Sequence, residues 1–290
     1  MPVASGRDYL LGEDATTFRA VKCVVCGFSF IERIPDDLPR RYSRGYFAAP
    51  QAMPPWTARI ANRLTTREAR KLASRAPTAS SILEIGPGHG YFLSSLALAY
   101  PTAHLRGFDI TSEARLDEAL DSRISVRYAR SLPDAAFEEG QFDLIVMRHV
   151  LEHVPDPRVF LAEVRRIGSP ACTVYVKVPN RASWAARAFG SYWYGLDFPR
   201  HLSYFRPEDL TRLLNDAGFT VIASGHETDA VDWIGSIRFW LTGHGLSCGT
   251  SGLPSLIFLA GRALLLPLAA LARLCRASSR IWVLARRAET

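Results

Sequence analysis

The chain reads as an α/β protein, with a mostly parallel sheet covered by helices on both faces. Three observations lead there. Short apolar runs recur at 81–86, 104–110, 124–129, 142–148 and 172–178, with helical stretches between most of them, and such alternation is the pattern of a parallel sheet under helices. The first run passes directly into Gly86, Gly88 and Gly90. A cluster of that kind costs backbone entropy, so it marks a sharp turn or a close approach to a ligand. The second run carries an acid, Asp109, at its tip.

The elements follow in order. Residues 1 to about 50 are polar, turn-rich and broken by Pro35, Pro39 and Pro50; they read as a small appendage ahead of a main domain over 51–290. A helix is expected in PPWTARIANRLTTREARKLASRA, where Trp56, Ile60, Leu64 and Leu72 keep a rough helical period. Ile82, Leu83 and Ile85 form a buried strand and Tyr91–Tyr100 a helix, which leaves the glycines in the turn between them, with backbone N–H groups free to meet a ligand. RPEDLTRLLNDAGF is a helix with an acidic first turn, stopped at Gly218. TVIASG and IWVLARR are strands, and a hydrophobic helical insertion over about 225–280 separates them.

Composition bounds the function. The 290 residues are 48% hydrophobic and 22% charged, ordinary values for a globular chain with a sizeable core. The net charge of +7 rests almost wholly on arginine, since Lys22, Lys71 and Lys177 are the only lysines. These arginines are scattered, which argues equally for an acidic partner and for coding bias. The first residues carry acids and no apolar core, unlike a signal peptide. Five cysteines without dense pairing suit a reducing cytosol, so a cytoplasmic location is expected.

The glycine turn admits three readings. A tight turn without ligand is one. A nicotinamide-dinucleotide loop needs G-x-G-x-x-G, and its third position falls here on Tyr91. The third is an adenosine-bearing ligand, because an acid at the tip of the second strand is placed to accept hydrogen bonds from ribose hydroxyls.

Glu84-x-Gly86-x-Gly88-x-Gly90 followed by Asp109 resembles the cofactor motif of class I S-adenosylmethionine-dependent methyltransferases. FDLIVMRHVLEHVPDPRVFLAEVRRI is similar to the fourth strand and following helix of that superfamily, in its branch with an L-E-H-x-x-D-P signature. VKVPN resembles the fifth strand, and LDFPRHLSYFRPEDLTRLLNDAGF a segment of the same branch; the likeness covers about residues 80–224. It implies a Rossmann-like, mostly parallel seven-stranded sheet with an antiparallel last strand, S-adenosylmethionine as cofactor, and methyl transfer to a small-molecule, glycan or lipid-linked acceptor, with a hydroxyl favoured. It also implies a cofactor set of Glu84, Gly86, Gly88, Gly90, Asp109, Tyr128 and Arg148. Tyr128 stands where the family often carries an acid near the adenine. Two other classes stay open: a protein that binds S-adenosylmethionine without catalysis, and a nucleic-acid-binding or modifying protein. Against the last, the chain has MRHVLEH after its fourth strand, not a D/N-P-P-aromatic motif, and no nucleic-acid partner is expected.

A hydroxyl acceptor needs a base near its proton. The candidates are His201, His149 and His153, with Glu152 and Asp197 beside them. His201 lies in DFPRHLSYF, whose aromatics can line an acceptor pocket; the alternative is that Arg200 and His201 tie the loop to the sheet. YWYG, 192–195, is either an aromatic wall for the acceptor or core. HVLEH also fits H-x-x-E-H, the inverted zinc-protease motif, and some quinone-pathway O-methyltransferases of this branch carry E-x-x-E-H here with a divalent ion. His149 replaces their first Glu, and no metal is expected. Glu152 and His153 then cap the helix and line the pocket. CVVCGF resembles half of a zinc knuckle; structural zinc wants four ligands and no second pair is near, so no zinc is expected there either.

The last unusual stretch is LIFLAGRALLLPLAALARLCRASSR, 256–280. Arg262 and Pro267 interrupt its apolar run, which falls short of the roughly 20 residues of a spanning helix. Continued as one helix, it would set Arg262, Arg273, Arg276 and Arg280 on one side. That is either a basic amphipathic helix in peripheral contact with an anionic membrane or a helix packed on its own domain.

Overall fold

The computed structural model describes residues 1–10, 16–42, 55–112, 121–246 and 255–288, with the side chains of 55–61 and 255–259 left aside. Cys248 and parts of the N-terminal appendage lie outside the described residues. In chain order the elements are β1 (Pro2–Gly6), β2 (Phe18–Lys22), β3 (Ser29–Ile31), α1 (Pro55–Ala73), β4 (Ser81–Ile85), α2 (Tyr91–Ala99), β5 (His104–Asp109), β6 (Ile124–Tyr128), β7 (Phe142–Arg148), α3 (Pro157–Ile167), β8 (Gly168–Pro179), α4 (Trp184–Phe189), β9 (Ser203–Tyr204), α5 (Pro207–Asp216), β10 (Phe219–His226), α6 (Val231–Gly243), α7 (Ser255–Leu274) and β11 (Arg280–Arg287).

Seven strands form the main sheet in the order β10-β11-β8-β7-β4-β5-β6. β8, β7, β4, β5 and β6 run parallel, and β11 is antiparallel to both β8 and β10. The expected α/β architecture with an antiparallel last strand is therefore present. Both faces are covered, as a parallel sheet requires. Leu83, Ile85, Ile145 and Met147 point to one side, against Leu161 and Val164 of α3 and Leu210 and Leu214 of α5. Ile82, Leu144 and Val146 point to the other, against Ala69 and Leu72 of α1 and Phe92, Leu93 and Leu96 of α2. The pleat divides neighbouring residues between two cores, so the strands read as unbroken apolar runs.

Local signals set the helix starts. The Asp156 carboxylate accepts from the N–H groups of Arg158 (2.9 Å) and Val159 (3.2 Å), with Pro157 in the first turn of α3; this caps two otherwise orphaned donors. Pro207 opens α5 in the same way, and Gly218 turns the chain into β10 with φ +79°.

Two features depart from the sequence reading. The N-terminal segment is not only turns. β1, β2 and β3 pair antiparallel, and β3 pairs with β9 of the main domain, giving a four-stranded sheet. Short strands with polar exposed positions leave little periodic signal, and the pairing partner is far away in sequence. The arginine stripe is also corrected. α7 runs through Pro267 but ends at Leu274; Arg276 follows with φ +54°, and Arg280 belongs to β11, where it pairs with Asp229 (2.6 Å) and Asp232 (3.0 Å). A helical period cannot place residues beyond the end of the helix, so only Arg262 and Arg273 of the four lie on α7. Among the described residues no helix is long and apolar enough to cross a membrane.

Candidate active site

β4 has β5 on one side and β7 on the other. The chain leaves β4 outward in one direction and returns on the other side, which opens a crevice at the C-terminal strand ends. The glycine turn lies in that crevice. Gly86, Gly88 and Gly90 have φ of +69°, +51° and +77°, a region that costs a side-chain-bearing residue roughly 1–2 kcal/mol. A β-carbon on Gly86 would stand 2.6 Å from Val150 Cγ2, whereas one on Gly88 would meet no atom of the described residues within 4 Å. Gly86 is fixed by packing. Gly88 faces open space.

Asp109, at the tip of β5, accepts from the N–H of Gly88 (3.4 Å) and that of Thr111 (3.2 Å). Burial raises its carboxyl above the ordinary value, against the pull of these amides. Tyr128 is its register partner on β6 and is exposed at the rim. Glu84 is buried beneath the turn, and burial pushes its carboxyl up to about 8. Its Oε2 has no partner among the described residues, an unusual state for a buried oxygen. Arg148, at the end of β7, stacks over Phe92 with 4.1 Å to the ring centroid and reaches Glu68 at 3.3 Å.

No local sequence pattern singles out Glu68. From α1 it accepts from Tyr175 Oη (2.8 Å) and Lys177 Nζ (3.2 Å to each oxygen), and Lys177 also donates to Glu227 at 2.6 Å. Burial works against its ionisation, but Arg148 and Lys177 prevail and hold the carboxyl below its ordinary value. Only contacts over long sequence distances mark this acid out.

The three histidines lie close together beyond β7. His149 has φ +56° and its Nδ1 is 3.0 Å from Glu152 Oε1. A third of its side chain is exposed; its depth in the cleft and then Arg280 and Lys177 hold it well below the usual imidazole range. Burial pushes Glu152 up to about 8. His153 donates from Nδ1 to the Arg200 carbonyl at 3.0 Å, and burial lowers it to about 3. His201 lies edge-on to His153, with ring centroids 4.7 Å apart. Its Nδ1 is 2.8 Å from the Gly195 carbonyl. A carbonyl only accepts, so Nδ1 carries the proton and Nε2 keeps its lone pair. Nε2 faces Asp197 Oδ2 at 3.9 Å. Burial lowers His201 below its ordinary value, with Asp197 opposing.

The loop that holds His201 is anchored by Arg200, which is buried and bonded to Asp8 and Asp197. Both residues tie the loop, Arg200 to Asp8 and Asp197 and His201 through Nδ1 to the Gly195 carbonyl. Of YWYG, Trp193 is buried core, while Tyr192 and Tyr194 join an aromatic group with Tyr9 and Phe239. Glu152, His153 and His201 each offer one ligand atom within 4.8 Å of the others. This differs from the H-x-x-E-H set, since His201 takes the place of His149. A cation there would need Glu152 to shed the proton that burial favours.

Residues 57–224 match the family model described as a methyltransferase domain. The chain belongs to that family. The methyltransferase is 28% identical over 149 residues to the ubiquinone biosynthesis O-methyltransferase of Aromatoleum aromaticum, an alignment that covers 47% of this chain and 62% of that relative. It thus spans less than two thirds of that relative's length. A solved S-adenosylmethionine-dependent methyltransferase from Archaeoglobus fulgidus shares the fold, with a TM-score of 0.51 at 16% identity over 78% of this chain and 94% of that one. So does the 1,6-didemethyltoxoflavin-N1-methyltransferase of Burkholderia thailandensis, with a TM-score of 0.51 at 14% identity over 96% and 98%. S-adenosylmethionine is the cofactor named for the Archaeoglobus fulgidus enzyme, and the crevice of this chain has room and polar groups for such a molecule. Gly88 leaves space at the turn, Asp109 has lone pairs to spare, and the orphaned Glu84 oxygen offers an acceptor for an ammonium group.

Proposed function

We propose that this methyltransferase moves a methyl group from S-adenosylmethionine to a hydroxyl on a small, glycan or lipid-linked molecule. Glu84, Gly86, Gly88, Gly90, Asp109, Tyr128 and Arg148 hold the cofactor, which supplies an electrophilic methyl group on its sulfonium. The observation that carries the reading is the state of His201, a buried neutral imidazole whose Nδ1–H is fixed on Gly195. Its Nε2 accepts the hydroxyl proton as the oxygen nucleophile forms. The Asp197 carboxylate, kept ionised by Arg200 against the cost of burial, then stabilises the imidazolium. His153 and His149 line the same space, neutral and unable to repel that charge. Alignment of the acceptor contributes the larger share, up to roughly 7–11 kcal/mol at ideal geometry. The relative named above is an O-methyltransferase of ubiquinone biosynthesis, which supports a hydroxyl on a small molecule.

The same reading includes a peripheral contact between a cytoplasmic enzyme and an anionic membrane through α7. Leu264 and Leu274 of that helix are 79% and 81% exposed, Arg273 is exposed beside them, and Ser255–Leu274 contains no acid. No nucleic-acid partner enters it.

The test is transfer of labelled methyl from S-adenosylmethionine to a panel of phenols, glycans and lipid-linked alcohols by wild type and His201→Asn. Transfer by wild type, lost in the variant while cofactor affinity holds, is the expected result. Cofactor binding without transfer to any acceptor would favour the non-catalytic alternative. Equal rates for both proteins would remove His201 from the base role.

A further inference from the structure

Cys23 and Cys26 are not among the residues assigned to methyl transfer, and their surroundings point to separate chemistry. Their turn joins β2 to β3. The Gly27 N–H donates to the Cys23 carbonyl at 3.0 Å, the Cys23 N–H donates to the Phe28 carbonyl at 2.8 Å, and Gly27 has φ +76°. The two residues between the cysteines, Val24 and Val25, are 80% and 91% exposed. Neither cysteine is in a disulfide, and Cys26 is exposed.

Three basic side chains border the backbone of this turn. Lys22 Cε and Arg206 Nη2 lie 3.3 and 3.5 Å from where a β-carbon on Gly27 would stand. Arg212 donates from Nη2 to the Cys26 carbonyl at 3.3 Å. Arg206 and Arg212 are both paired with Asp209, so the setting of the thiols rests on the exposed turn itself: a reactive cysteine is partly exposed, whereas a structural cysteine is buried and inert. Cys172 is of that second kind: burial holds its thiol up at about 12.

We propose that Cys23 and Cys26 form a dithiol site that undergoes thiol–disulfide exchange with low-molecular-weight disulfides. The Cys23 thiolate attacks one sulfur of the disulfide, forms a mixed disulfide and releases one thiolate. Cys26 gives up its proton to solvent, attacks the Cys23 sulfur and releases the second thiolate. The dithiol loses two electrons and two protons, and the small disulfide gains two electrons and becomes two thiols. The direction follows from the turn: the amides of Cys26 and Val25, then the Cys26 thiol, hydrogen-bond to Cys23 and lower its thiol below the ordinary value. The exposed valine tip leaves the approach to these sulfurs open.

The test uses the reduced full-length protein, glutathione disulfide as the oxidant, and intact mass followed by peptide mapping. Wild type is expected to lose two hydrogens, carry a Cys23–Cys26 link and no adduct, and regain its mass in dithiothreitol. Cys26→Ser is expected to keep a glutathione adduct on Cys23. With a limiting thiol probe, Cys23 is expected to react roughly tenfold faster than Cys275. Three results would overturn the proposal: wild type that stays reduced at excess oxidant, a stable adduct on Cys26 instead of the internal link, or stoichiometric zinc that shields both thiols. The wild-type mass alone decides the matter if the variant does not fold.

Discussion

The Arg200 guanidinium and the Asp8 carboxylate are joined by two 2.8 Å hydrogen bonds across 192 residues of sequence. Both side chains are fully buried. The pair fastens the N-terminal segment to the loop that carries His201, and Asp197 accepts from the same guanidinium at 2.7 Å. A charge so enclosed is tolerable only with its partners in place.

Asp8→Ala is therefore expected to destabilise the protein by about 3–5 kcal/mol, because it leaves part of a buried guanidinium uncompensated. Urea denaturation checks the value. A change under about 1 kcal/mol would mean that the remaining partners of Arg200, Asp197 among them, suffice.

Asp109→Ala is expected to raise the dissociation constant for S-adenosylmethionine roughly 10- to 100-fold, since hydrogen bonds to a charged group contribute about 1.5–3 kcal/mol. Calorimetry on a folded variant tests the ribose role. Unchanged affinity would refute it.

Gly88→Val is expected to abolish cofactor binding in a protein that still folds. A β-carbon there meets no atom of the described residues within 4 Å, so the added bulk enters the crevice and not the core. The φ of +51° adds strain of roughly 1–2 kcal/mol, visible as a small loss in thermal unfolding.

Stability should depend on pH in two opposed ways. His153 is held at about 3 against an ordinary 6.5; the unfolded state takes up a proton first, so its contribution is lost as pH falls below 6.5. Glu84 and Glu152 are held at about 8 against 4.5; the unfolded state ionises first, so their contribution is lost as pH rises from 4.5 through 8. Glu152→Gln removes one ionisation, and its stability relative to wild type is expected to increase between about pH 5 and pH 8, at up to about 1.4 kcal/mol per unit. Denaturation curves at both pH values decide it. A constant difference would show that Glu152 is ionised in the native site.

Liposome co-sedimentation should show binding to anionic vesicles that weakens with salt, each arginine near the surface contributing about 1 kcal/mol. Replacing Arg273 and Arg276 by Gln is expected to remove most of that preference and leave cofactor affinity intact. Equal partition to neutral and anionic vesicles would leave α7 as a helix packed on its own domain.

The order of residues was enough for the scaffold. The runs at 81–86, 104–110 and 142–148 form β4, β5 and β7 to within a residue, and the helix from Tyr91 and the glycine turn lie where local pattern puts them, because apolar runs, caps and positive-φ glycines act within a few neighbours. Asp109 was legible for the same reason, as the residue that ends a strand beside a glycine loop. Glu68 was not. Its role exists only because α1 lies over the ends of β7 and β8, bringing it to Arg148 and Lys177. Nor was the separation of Arg280 from α7, since Asp229 and Asp232 draw it into the sheet and helical periodicity takes no account of an ion pair. His201 was named from its loop, but its tautomer, its neutrality and its distance from Asp197 were set by burial and by the Gly195 carbonyl. Short-range geometry is written in the residues themselves, whereas charge state and partnership depend on which distant segments exclude water from the same space.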